Sequence, residues 1–175
     1  TAGEVTLLKS VASAVNAAGC TVAGGRSGST DYIVYGTGSV TKKWDGTTAT
    51  EITGLTGQPS WLWSIGDKVL ACHSSGIDII DLSGSTGTAL RTGASATPKA
   101  WWVKQRIIAA VGRSLYECAL PNPIASAAMP AAMYSHPDSS WTWTAAVEVP
   151  GAILAAGYAG GKGGIYRFEL ADSGA

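Results

Sequence analysis

Trp61, Trp101 and Trp141 stand 40 residues apart, and two of them open a Trp-x-Trp pair, Trp61/Trp63 and Trp141/Trp143. So even a spacing of a scarce residue marks an internal repeat. A repeat constrains the fold more than any other signal, because each unit has to bury its apolar face on the next. After each Trp comes a four-residue apolar run, at 69–72, 107–110 and 153–156, too short for a helix. A turn follows, at 73–76, 111–114 and the longer 157–164, which has the composition of a mobile hairpin tip. Then come IDIIDL (77–82), LYECAL (115–120) and IYRFEL (165–170), each ending in Leu. Strand, hairpin turn and strand therefore recur as one β-meander.

The same hairpin fits residues 31–46, with Tyr32–Tyr35 and Val40–Trp44 as its strands, and residues 20–23 occupy the place of the Trp strand. Residues 49–54 and 88–93 are candidate outer strands. Four units result, 20–58, 59–97, 98–138 and 139–175, after an N-terminal segment 1–19. The expectation is an all-β chain, a β-propeller of about four 40-residue blades or part of a larger one. A β-sandwich is the competing fold, but nothing in a sandwich requires a Trp at every fortieth position. Two segments depart from the pattern. Residues 121–140 hold four of the seven prolines and suit a loop excursion with room for a short helical turn, while 4–18 suit an outer strand with a linker or an amphipathic helix.

Composition narrows the function classes. Lys plus Arg and Asp plus Glu number 12 each, a net charge of zero, so no field draws in phosphate backbones or anionic lipid. No run reaches the roughly 18 apolar residues of a membrane helix. Neither a nucleic-acid partner nor membrane insertion is expected. Thr1 points to a lost initiator Met or to a start inside a longer polypeptide. Cys20, Cys72 and Cys118 cannot all pair within one chain and have the character of small buried hydrophobes.

No motif supports a catalytic, cofactor or metal site. His73 and His136 lack a second ligand at metal spacing and suit satisfied surface histidines. Cys72 and His73 are strand neighbours pointing to opposite faces, so they cannot act as nucleophile and base. Asp78 and Asp81 suit solvated strand positions. The Gly-rich stretch 157–164 fails the phosphate loop, with Ala156 and Gly163 at its key places, and residues 36–41 fail the dinucleotide fingerprint at Thr41. Asp138, Thr142 and Trp143 partly match a sialidase-type Asp box, a turn-stabilising element that His136 and Ser140 interrupt. The aromatic side chains suit sugar stacking, although a repeated Trp more often belongs to a core.

Residues 102–120 (WVKQRIIAAVGRSLYECAL), 139–170 (SSWTWTAAVEVPGAILAAGYAGGKGGIYRFEL) and 35–54 (YGTGSVTKKWDGTTATEITG) together resemble the propeller region of minor tail proteins from tailed bacteriophages of actinobacteria. The similarity runs from about residue 20 onward and is one of repeat style. It implies a non-enzymatic structural protein of the virion tail, at the tail tip or baseplate. The implied partners are other tail subunits and, for host attachment, a surface glycan or receptor; no catalytic residue or cofactor carries over. Family propellers sit inside longer chains, so four blades either close a ring or form part of one. WD-repeat proteins are a weaker match, because Trp44-Asp45 is the sole Trp-Asp pair. The alternatives are a carbohydrate-binding propeller and an extracellular hydrolase, the latter needing carboxylates or His gathered in one cavity.

Overall fold

Alternation of apolar and polar residues between two-residue turns builds hairpins, and hairpins dominate the chain. The computed structural model describes residues 21–74, 76–92, 98–103, 106–119 and 132–169. They form four antiparallel sheets in chain order and, among the described residues, no helix. Sheet one is β1(Val22–Ser27), β2(Thr30–Gly36), β3(Thr41–Trp44) and β4(Ala49–Glu51). Sheet two is β5(Trp61–Ile65), β6(Lys68–His73), β7(Gly76–Asp81) and β8(Gly87–Thr92). Sheet three is β9(Lys99–Val103), β10(Arg106–Val111), β11(Ser114–Ala119) and β12(Ala132–Ser135). Sheet four has three strands, β13(Thr142–Val149), β14(Ala152–Ala159) and β15(Lys162–Glu169). Every sheet is a meander whose strands neighbour in sequence order. The turns need the left-handed backbone that glycine supplies, as at Gly66 (φ 68°) between β5 and β6 and Gly151 (φ 74°) between β13 and β14.

Two local expectations are corrected. Residues 157–164 are not a hairpin tip: β14 runs to Ala159, β15 begins at Lys162, and only Gly160 and Gly161 turn. Gly157 and Gly164 are glycine because Trp141 lies across them. A Cβ on Gly157 would stand 2.4 Å from Trp141 Nε1 and 2.7 Å from the Thr142 carbonyl oxygen, and one on Gly164 would stand 3.1 Å from the indole. Nor is 121–140 a loop throughout, since β12 pairs with β11 as the outer strand of sheet three. Of the stretch 121–140, which has room for a short helical turn, 132–140 holds no helix, and residues 121–131, like 4–18 and Cys20, lie outside the described residues. Gly157→Ala is expected to destabilise the fold by about 1–3 kcal/mol, an overpacking penalty measurable by urea denaturation. An unchanged midpoint would show that Trp141 does not rest on this glycine.

The sheets pack face to face in the same order. One face of sheet one (Ala23, Tyr32, Val34) meets Leu62, Val69, Ala71, Ile80 and Leu82 of sheet two. The other face of sheet two (Leu70, Cys72, Ile77, Ile79) meets Ala100, Ile107 and Ala109 of sheet three. Sheet three then turns Trp101, Val103, Ile108 and Leu115 toward Trp143, Ala146, Ile153 and Ala155 of sheet four. The first strands lie side by side, β1 on β5, β5 on β9 and β9 on β13; no contact of that extent joins β13 to β1 among the described residues.

Polar ties cross each boundary. Lys43 is buried, its Nζ donating to the carbonyls of Leu82 (2.8 Å) and Gly84 on the far side of the first interface. Trp61 Nε1 donates to the Ala100 carbonyl of β9 (3.1 Å), and Trp143 Nε1 to the Arg113 carbonyl in the β10–β11 turn (3.0 Å). The evenly spaced tryptophans are thus inter-sheet residues without being equivalent positions. Trp61 is the first residue of β5, Trp101 the third of β9, and Trp141 precedes β13.

Candidate functional site

Among the described residues, three places gather chemistry-bearing side chains. The first is a polar cluster in sheet two, where the β6–β7 hairpin carries His73 and Asp78. Both are fully buried, correcting the expectation of a surface histidine and a solvated carboxylate. Asp78 shares a face with Ile80, one turn of the β alternation away, so the Asp in IDIID sits on an apolar face. The loop between β4 and β5 supplies its partner, Thr56, which the sequence does not single out. Thr56 N–H donates to Asp78 Oδ2 (2.7 Å) and its hydroxyl to Asp78 Oδ1 (2.8 Å). His73 Nε2 lies 3.0 Å from the Thr56 hydroxyl and 3.2 Å from Asp78 Oδ2.

That geometry fixes the cluster's chemistry. Two acceptors face the same ring nitrogen, so Nε2 carries the proton and His73 donates. The Thr hydroxyl gives its proton straight to the carboxylate and accepts from the imidazole. In a nucleophile–His–acid relay the base instead offers a lone pair to the hydroxyl and reaches the acid through its other nitrogen. Here the three groups close on one another as a clamp holding the 53–60 loop against the hairpin. Gly57 lets the loop lie flat on the imidazole, where a Cβ would stand 2.5 Å from Nδ1.

Asp81, at the other end of β7, is partly exposed as expected. Hydrogen bonds from the Ser83 hydroxyl and Lys68 hold its carboxyl down at about 2. Cys72 is buried and its thiol is pushed up to about 12 by that burial, the character expected of it. In the folded protein it should stay unmodified by a maleimide at neutral pH and react only on unfolding, which peptide mapping after pulse labelling checks.

The second gathering is aromatic, at the boundary of sheets three and four. His136 stacks on Trp141 (4.0 Å, 15°), its Nε2 lies 2.8 Å from the Tyr166 hydroxyl, and Tyr134, Trp143 and Phe168 complete the group. His136 too is buried, not a surface residue. The Asp-box-like segment works as a turn: Asp138 accepts from the Ser140 N–H (2.8 Å) and hydroxyl (2.7 Å), which keeps its carboxyl below the usual range. Trp141 Nε1 is buried with no hydrogen-bond partner among the described residues.

The third is an open groove of about 440 Å³ between β1 and β5, lined by Thr21, Val22, Ala23, Gly24, Trp61, Leu62, Trp63 and Ser64. Trp61 and Trp63 project to one side of β5 with their rings nearly parallel (8°) and 6.3 Å apart, and Lys99 Nζ stands 5.5 Å from the Trp61 ring. The groove is mainly apolar, while the two rings lie on the face of β5 turned toward sheet three, so the place is suited to contact rather than to bond-making chemistry. Among the described residues, no group of three His, Cys, Asp or Glu side chains is placed to hold a metal ion. Likewise among them, no helix is long and apolar enough to cross a membrane.

Compared with known families and curated proteins, the chain matches no family model and no curated sequence.

Proposed function

We propose that the chain is a structural component of a bacteriophage tail, four blades of a β-propeller that works through contacts with neighbouring tail subunits at the tail tip or baseplate. The observation that carries this reading is the stacking of four meanders in chain order with their first strands side by side, an order that propeller blades also keep. The resemblance of residues 35–54, 102–120 and 139–170 to minor tail propellers supplies the virion setting. The net charge of zero suits a protein that binds by shape. The reading is non-enzymatic, and the closed Thr56–His73–Asp78 clamp supports it. Mass spectrometry of particles purified from the phage encoding the chain tests it. Peptides in a fixed ratio to other tail proteins are expected, and their absence from intact particles would remove the proposal.

A carbohydrate-binding propeller is the second reading, favoured by the parallel Trp61 and Trp63 rings beside the β1–β5 groove, since flat apolar rings stack on sugar faces. A glycan array read with the purified chain separates the two: binding weakened by Trp63→Ala supports this reading, and an array without binding removes it.

A further inference from the structure

Among the described residues, the large apolar side chains that stand in solvent lie on two surfaces only. Val22 is on sheet one; Val147, Tyr158 and Ile165, the last 73% exposed, are on sheet four. The registers show which faces these are. In sheet four, Leu154 is paired with Val147 and Arg167, and Ala156 with Ala145 and Ile165, so with Tyr158 they share one face. The opposite face, with Ala146, Ile153, Ala155 and Phe168, is the one buried on sheet three. In sheet one, Val22 is paired with Tyr35, Gly24 with Ile33, and Ile33 with Trp44, again on one face, where Val22 is exposed, Ile33 and Trp44 are partly buried and Tyr35 is buried. Sheet two covers the other side, through Ala23 and Val34.

These two faces differ in kind. Each of the three interfaces inside the chain joins the following face of one sheet to the preceding face of the next. Among the described residues, two faces take part in none of these interfaces: one preceding face, on sheet one, and one following face, on sheet four. They also differ in relief. On sheet four, Ile165 and Tyr158 protrude, with Arg167 two residues along from Ile165. On sheet one, a groove of about 530 Å³ is lined by residues 29–33 and 44–46, including Ile33, Trp44, Asp31 and Asp45.

We propose that a second copy of this chain docks head to tail, its sheet one laid over sheet four of the first, with Ile165 and Tyr158 seated in the groove beside Ile33 and Trp44. An unrelated partner would have to match two different faces separately, whereas a copy supplies both at once and repeats an interface the fold already uses three times. Such a contact is heterologous, joining unlike patches, and builds a ring or a longer array according to the rotation between copies. The inference rests on the stacking of the sheets and is independent of the tail reading.

Light scattering coupled to size-exclusion chromatography tests it, over concentrations up to roughly 100 μM, where even a micromolar interface is populated. The wild-type chain is expected at a multiple of 17.8 kDa. Ile165→Asp and Val22→Asp, both at exposed positions, should each fall to the single-chain mass with an unchanged unfolding midpoint. Mixing the two variants should restore a complex of one copy each, because every copy then keeps one intact face of opposite kind. A wild-type chain that stays at the single-chain mass overturns the proposal, as do variants that keep the wild-type mass. A mixture that does not associate overturns the head-to-tail pairing.

Discussion

Replacing Asp78 with Ala should destabilise the protein by about 3–5 kcal/mol, a large share of the roughly 5–15 kcal/mol that holds a typical domain folded. Asp78 is fully buried and accepts from the Thr56 N–H and hydroxyl, with His73 Nε2 against the same carboxylate. Its loss takes the acceptor from the Thr56 N–H and hydroxyl and the carboxylate from beside His73, in a place water reaches poorly, and each donor left unsatisfied costs about 1–3 kcal/mol. Thr56→Ala removes only the hydroxyl at the surface end of the cluster and should cost about 1 kcal/mol. Because the three residues act as a unit, the penalties of His73→Ala and Asp78→Ala should fall short of additivity by about 1–3 kcal/mol in the double variant. Urea unfolding of the four proteins reads this directly. Penalties for Asp78→Ala near those of a surface substitution would show that the clamp is not formed.

The second large effect is expected at Trp143. Its side chain is 1% exposed in the core between sheets three and four, and its indole N–H reaches the Arg113 carbonyl, which also accepts from the His136 N–H. Trp143→Ala should therefore cost about 3–5 kcal/mol, from the cavity and the unmade hydrogen bond together. Trp44 provides the internal comparison. It is only partly buried, belongs to none of the three cores, and lies on the face of sheet one turned away from sheet two. Trp44→Ala should cost less than half as much. Equal penalties at the two positions would mean that burial between sheets three and four is not what Trp143 contributes.

The repeat was legible because its signal is local. Short apolar runs such as VLAC and IIAA, set between glycine turns, are strands whatever surrounds them, and they became β6 and β10. What escaped depends on neighbours distant in sequence. His73 and Asp78 looked solvent-facing because polar residues usually are; their burial follows from Thr56, some twenty residues upstream, coming to satisfy them. The glycines at 157–164 looked like a flexible tip, since nothing local says that Trp141 folds back across the sheet. Asp78 did leave one trace, sharing a strand face with Ile80. Likewise β12 went unread because Pro-rich sequence precedes it, although AMYS itself pairs well with β11.

The central claim is that the four meanders stack in chain order, each tied to the next. The most direct measurement is a 15N-edited NOESY spectrum of the tryptophan indole N–H groups. Stacking predicts cross-peaks from the Trp61 indole N–H to Ala100 on sheet three, 3.1 Å from Nε1 to the carbonyl oxygen, and from the Trp143 indole N–H to Arg113, again one sheet away. Indole cross-peaks confined to each tryptophan's own sheet would contradict it.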